Sequence, residues 1–212
     1  MPPVREQLRR MPRLLFGLVL FGVGLGMVIR GDYGLPGWDV LHQGLSNQLP
    51  ISIGQAVILV GALILIVILV LREPIGVGTV ANVIVIGLAI DATLWLLDEP
   101  ESWPVRGSLT LVGPLVTAIG SGLYLGVRLG PGPRDGLMTA LGRRGITIWK
   151  ARFGIEAAAL LGGLALGGTV GWGTVWFLVI IGPAVQWSLR HLSLPLADGE
   201  DELGGHHPVP TT

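Results

Sequence analysis

Six runs of apolar residues punctuate the chain, at 14–29, 54–71, 76–97, 108–128, 153–169 and 172–189. Each approaches the roughly 20 residues that an α-helix needs to cross a ~30 Å hydrocarbon core. The pattern predicts an all-α polytopic membrane protein with six transmembrane helices. Ser52-Ile53-Gly54-Gln55 is a capping-box sequence ahead of the second run, and Thr147 offers an N-cap ahead of the fifth. Between the second and third runs, Leu71-Arg72-Glu73-Pro74-Ile75 is long enough only for a tight turn.

Two stretches interrupt this alternation in the same way. Gly34-Leu35-Pro36-Gly37-Trp38-Asp39-Val40-Leu41-His42-Gln43-Gly44-Leu45 and Gly130-Pro131-Gly132-Pro133-Arg134-Asp135-Gly136-Leu137-Met138-Thr139-Ala140-Leu141 each leave an apolar run, break it with Gly and Pro, and place one Asp. Leucines then follow at helical spacing, four apart. Both read as short interrupted helices; the plainer alternative is a pair of surface loops.

The two stretches belong to a longer repeat. Shifted by 96, Gly17, Gly24, Gly26, Gly34, Asp39, Leu41 and Leu45 fall on Gly113, Gly120, Gly122, Gly130, Asp135, Leu137 and Leu141. Shifted by 95, Gly76-x-Gly78-Thr79-Val80 falls on Gly171-x-Gly173-Thr174-Val175, and Gly87 on Gly182. Each copy holds three crossings, an odd number, so the second must insert upside down. The expected organisation is a basic N-terminus at 1–13, a first three-helix repeat at 14–97, a second, inverted three-helix repeat at 107–190, and a loose cytoplasmic tail at 191–212 in which His206 and His207 are solvated. In inverted-repeat transporters the solute site lies between broken helices, where interrupted backbone must be buried in protein or line a wet cavity.

Composition agrees with a bilayer as the main partner: half of the 212 residues are hydrophobic, 13% are charged and the mean hydropathy is +0.69. Arg5, Arg9, Arg10 and Arg13 ahead of Leu14–Ile29 imitate a signal peptide, but no small-x-small cleavage site follows, so an uncleaved first helix is expected. With the N-terminus in the cytoplasm of a bacterial inner membrane, twelve Lys and Arg fall inside and only Arg30 and Arg106 outside. That is a strong positive-inside bias, and it places both termini in the cytoplasm. A net charge of zero offers no basic surface for nucleic acid. Without cysteine there are no disulfides or thiolate sites. No nucleophile stands beside a base, no Gly-rich loop follows a strand, and no cofactor motif occurs, so an enzyme is not expected.

Candidate chemistry centres on ionisable residues in or beside the spans, which are costly in lipid. Asp39 and Asp135, at equivalent places in the two breaks, could bind a cation, accept a substrate amine or carry a proton; equally, each could cap the helix that resumes after it. His42 lies one helical turn from Asp39, and Trp38 precedes it, but Asp39 and His42 are only two ligands and make no metal site. Arg152 and Glu156 are an i,i+4 pair in the fifth run, placed to form a wall of a site with Arg134 and Asp135, or a structural ion pair at the membrane rim. Asp91 and Asn82 are polar positions inside the third run, read either as site residues or as helix-to-helix hydrogen bonds. Gly-x-x-x-Gly steps at Gly22/Gly26, Gly122/Gly126 and Gly163/Gly167 mark close packing, within the chain or between copies in a homo-oligomer.

Four motifs occur in order: Trp38 to Leu45, Gly76 to Asn82, Gly132 to Met138 and Gly168 to Thr174. Together they resemble the bacterial YczE/YitT group of integral membrane proteins over about residues 14–190. Gly37 separates Pro36 from Trp38 where the group runs Pro directly into Trp. The resemblance implies a multi-pass inner-membrane protein and assigns no activity. Two functions are open: a small transporter or permease-like protein that binds a polar or ionic solute between its repeats, and a membrane scaffold that recruits a partner protein through Arg143, Arg144 and Lys150.

Overall fold

A computed structural model describes residues 3–194. The described residues form eight α-helices and no strand: α1 (Val4–Gly31), α2 (Gly37–Gln48), α3 (Ile53–Val70), α4 (Val77–Leu96), α5 (Trp103–Leu125), α6 (Pro133–Gly142), α7 (Ile148–Ala165) and α8 (Trp172–Leu192). Five of them, α1, α3, α4, α5 and α8, are long and apolar enough to cross a membrane. Helix α7 has 18 residues but carries Lys150, Arg152 and Glu156 in its first half. The helix ends extend beyond several apolar runs, because a helix continues through charges that a hydropathy window stops at. Thus α1 takes in most of the basic N-terminus, with Arg10 Nε donating to Glu6 Oε1 at 2.9 Å one turn away. The expected loose tail lies outside the described residues beyond Leu194, and so do His206 and His207.

Helices α1 and α5 form the centre, crossing on glycines. A Cβ added to Gly24 would stand 2.7 Å from the Gly113 carbonyl oxygen, and one on Gly113 would stand 2.7 Å from that of Gly24. Gly17 and Gly120 face each other in the same way, at 3.0 and 2.7 Å. Early residues of α1 meet late residues of α5, so the two helices run antiparallel. Lipid tails are as apolar as leucine, so close backbone approach and van der Waals contact hold such a pair together. At its two ends, Arg10 Nη1 donates to the Val127 carbonyl at 3.1 Å and Arg106 Nε to that of Gly31 at 3.2 Å.

Helix α4 packs on α1 and α8 on α5, while α2 lies against α7 and α3, and α6 against α3 and α7. The Gly-x-x-x-Gly faces considered for a homo-oligomer are filled within the chain: Gly22 abuts Ala89, Gly26 abuts Thr93, Gly122 abuts Ser188, and Gly163 abuts Val40 and Leu41. Outward faces stay apolar, with Ile66, Leu69, Leu88 and Leu178 exposed as lipid contact requires. Trp95, Trp103, Trp149 and Trp187 are exposed near helix ends, the place an aromatic ring takes at a membrane–water interface.

Candidate functional site

The site begins with two short helices. In front of α2 the chain turns at Gly34 (φ +106°), and in front of α6 at Gly130 (φ +128°), where only glycine is unstrained. Each turn is fastened to a glycine motif in the other half of the chain. Gly173 N–H donates to the Tyr33 carbonyl at 2.8 Å, and Gly78 N–H to the Leu129 carbonyl at 2.9 Å. Leu35 N–H adds a bond to the Thr169 carbonyl at 3.2 Å. These bonds satisfy backbone that lipid could not. The Gly-x-Gly-Thr-Val motifs are therefore the clamps of the breaks, since any side chain at Gly76 or Gly171 would collide with the clamped strand.

The breaks are consequently not surface loops: the segment after each Gly/Pro cluster is helical, and the start of each helix is turned into the protein. The capping expectation for Asp39 and Asp135 fails as well. The N-cap positions are Pro36 and Gly132, without a side-chain cap bond, and both aspartates sit at the third helical residue. Pro36 and Gly132 already direct the chain into the helix, which frees the carboxylates: Asp39 is buried, while Asp135 remains exposed. Thr147 does occupy the N-cap of α7, but its hydroxyl makes no cap bond, whereas the Ser52–Gln55 capping box of α3 is complete.

The two helix starts converge on one cavity of about 340 Å³. From α2 come Trp38, Asp39 and His42; from α6 come Arg134, Asp135 and Met138; α7 contributes Arg152 and Glu156, and α4 contributes Asn82. Asp39 and His42 are each 1% exposed, with Asp39 Oδ1 and His42 Nδ1 3.0 Å apart in a shared hydrogen bond. The Arg134 guanidinium lies over the Trp38 ring at 4.4 Å, a cation–π contact between residues 96 apart in sequence. Arg152 Nε donates to Glu156 Oε1 at 3.0 Å at the more exposed edge. Val57 and Gly61 of α3, 95 residues earlier than this pair, line the same cavity.

Eight of the nine sequence candidates thus line one space. Asp91 does not. It lies between α4 and α3, where its carboxylate accepts from Ser52 Oγ at 2.5 Å and from Gly54 N–H at 2.9 Å, satisfying the start of α3. Sequence reasoning missed Tyr124 and Ser121 of α5, which also line the cavity. Tyr124 is one of only two tyrosines and sits in an otherwise aliphatic run, which is the signal that could have found it. Its hydroxyl and the Asn82 amide both stand beside Gly132, at 3.5 and 3.6 Å from where a Cβ would be, an ordinary contact distance. Among the described residues no group of three or more His, Asp or Glu could hold a metal ion. Arg143 and Arg144 both pair with Glu73, at 2.7 and 3.4 Å, tying the end of α6 to the α3–α4 turn.

Apolar helices of spanning length around a cavity with charged lining residues define a multi-pass integral membrane protein. Residues 8–190 match a family of unknown function (DUF6198), and the chain belongs to it. It is 38% identical over 178 residues to an uncharacterised protein of Haemophilus influenzae, covering 84% of this chain and 82% of the relative. It is 30% identical to the uncharacterised membrane protein YczE of Bacillus subtilis, covering 82% of each, and 25% identical to the uncharacterised protein YyaS of the same organism, covering 86% and 90%. No solved structure matches the chain.

Proposed function

We propose that the protein is a small transporter, built from two inverted three-helix repeats in the bacterial cytoplasmic membrane, that binds a polar or ionic solute in the cavity between them. One observation carries this reading: equivalent positions of the two halves, Trp38 with Arg134 and Asp39 with Asp135, line the same cavity. An antiparallel crossing of α1 and α5 favours inversion, because these helices are themselves repeat equivalents. So do the matched clamps Gly173–Tyr33 and Gly78–Leu129, and the matched left-handed residues Asp32 and Arg128, at φ +54° and +56°. In this arrangement α7 is the sixth crossing. Its 18 residues span about 27 Å, its charges lie near one end, and Phe153 and Leu161 face outward. The N-terminus and the basic turns lie in the cytoplasm.

Access to the cavity tests the reading. The chain has no cysteine, so Val57→Cys and Ser121→Cys each introduce a single thiol on the cavity wall. A water-soluble, membrane-impermeant thiol reagent is expected to reach both in proteoliposomes, and Asp39→Asn and Asp135→Asn are expected to change the rate at which the thiols are labelled. Folded protein whose two thiols react from neither side would have a dry core and would not be a transporter.

A further inference from the structure

The charges in the cavity are unevenly partnered. Asp39 is bonded to His42, and Arg152 to Glu156. Among the described residues neither the Arg134 guanidinium, which lies over the Trp38 ring, nor the Asp135 carboxylate makes a direct side-chain hydrogen bond or salt bridge, although Asp39, Arg152 and Glu156 line the same cavity. One cation and one anion therefore stand in succession at the head of α6, neither held in a direct salt bridge and both open to a ligand in the cavity. Building on the solute-binding reading above, we propose that the cavity takes a small carboxylate–ammonium zwitterion of amino-acid size. Its carboxylate meets Arg134 and its ammonium meets Asp135.

Three considerations select this class. A ligand bearing only negative charge would satisfy Arg134 but face Asp135, and a purely cationic one would do the reverse; like charges brought together in a space of low dielectric oppose binding. The first turns of α2 and α6 both line the cavity and each carries a carboxylate, Asp39 and Asp135, so a ligand with negative charge alone meets acids at both helix starts. A volume of about 340 Å³ lies at the lower end of the roughly 300–1,000 Å³ typical of small-molecule sites. Val57, Ile64 and Ile86 give an apolar wall for a side chain.

The test uses the full chain in nanodiscs, titrated with glycine, L-alanine and L-leucine. Each amino acid is compared with its amine-only counterpart (methylamine, ethylamine, isoamylamine) and its acid-only counterpart (acetate, propionate, 4-methylpentanoate). At least one amino acid is expected to bind about tenfold or more tighter than either of its counterparts, one factor of ten being about 1.4 kcal/mol. Arg134→Gln should weaken that amino acid about tenfold while sparing the amine, and Asp135→Asn should weaken it while sparing the acid. An amine or acid that binds as tightly as the amino acid overturns the proposal. So does failure of all three amino acids to bind protein that remains monodisperse. The thiol-access measurement reports on the cavity independently, so a wet cavity that ignores amino acids defeats the zwitterion and leaves the solute-binding reading standing, whereas a dry one defeats both.

Discussion

At the residue scale, the most constrained group is Asp39. A carboxylate 1% exposed within a membrane protein needs a partner, and His42 one turn along supplies it. Removing only His42 is therefore expected to cost more than removing both. His42→Phe should lower stability by about 3 kcal/mol by stranding a buried carboxylate, while Asp39→Leu/His42→Leu should recover most of that loss. Detergent-induced unfolding in micelles reads both, and a double variant no more stable than the single one would mean that the pair is not coupled. The i,i+3 spacing made this contact legible in the sequence. The inward direction of Asp39 was not, because an Asp after Gly and Pro equally suits an N-cap. Only the position of Pro36 as the actual cap decides between them. Asp91 shows the converse: of its two readings, site residue and helix-to-helix hydrogen bond, the second holds, its carboxylate serving the start of α3 from a neighbouring helix.

At the element scale, the broken helices depend on glycines whose partners lie in the other half of the chain. Gly34 has a φ of +106° and its missing side chain leaves room for the Gly171 backbone, so Gly34→Ala should destabilise by about 1–3 kcal/mol. Gly24→Val at the α1–α5 crossing should cost at least a similar amount, about 1–3 kcal/mol of overpacking. Gly107→Ala, with nothing within 4 Å, should be neutral or stabilising. Thermal unfolding of the three purified variants measures these differences, and equal midpoints would disprove the close approach. The repeat of Gly-x-Gly-Thr-Val was visible in the sequence as a motif. Its use as a clamp was invisible, since it acts on Tyr33 and Leu129, which carry no motif of their own.

At the scale of the whole molecule, opposite insertion of the two halves makes a topological claim that labelling can check. Single thiols introduced as Glu99→Cys and Lys150→Cys are expected on opposite sides of the membrane, Glu99→Cys reacting with an impermeant maleimide on intact cells and Lys150→Cys only after permeabilisation. Labelling of both from outside would contradict the proposed six crossings. The structure also explains why α7 is the ambiguous span. Its charged first half faces the cavity and one end of the bundle, while a hydropathy window averages that face with the apolar one turned outward.

The sequence by itself determined the apolar runs, the two breaks, their equivalence and the residue types brought to them, because lipid burial and helical periodicity act locally along a chain. Tertiary structure alone decided that the heads of α2 and α6 meet, that Trp38 stacks on Arg134, that Asp91 stays out, and that Tyr124 comes in. Those outcomes rest on backbone approach between segments far apart in sequence, at α1 with α5 and at the two clamps. A glycine in a sequence permits such an approach without saying what arrives.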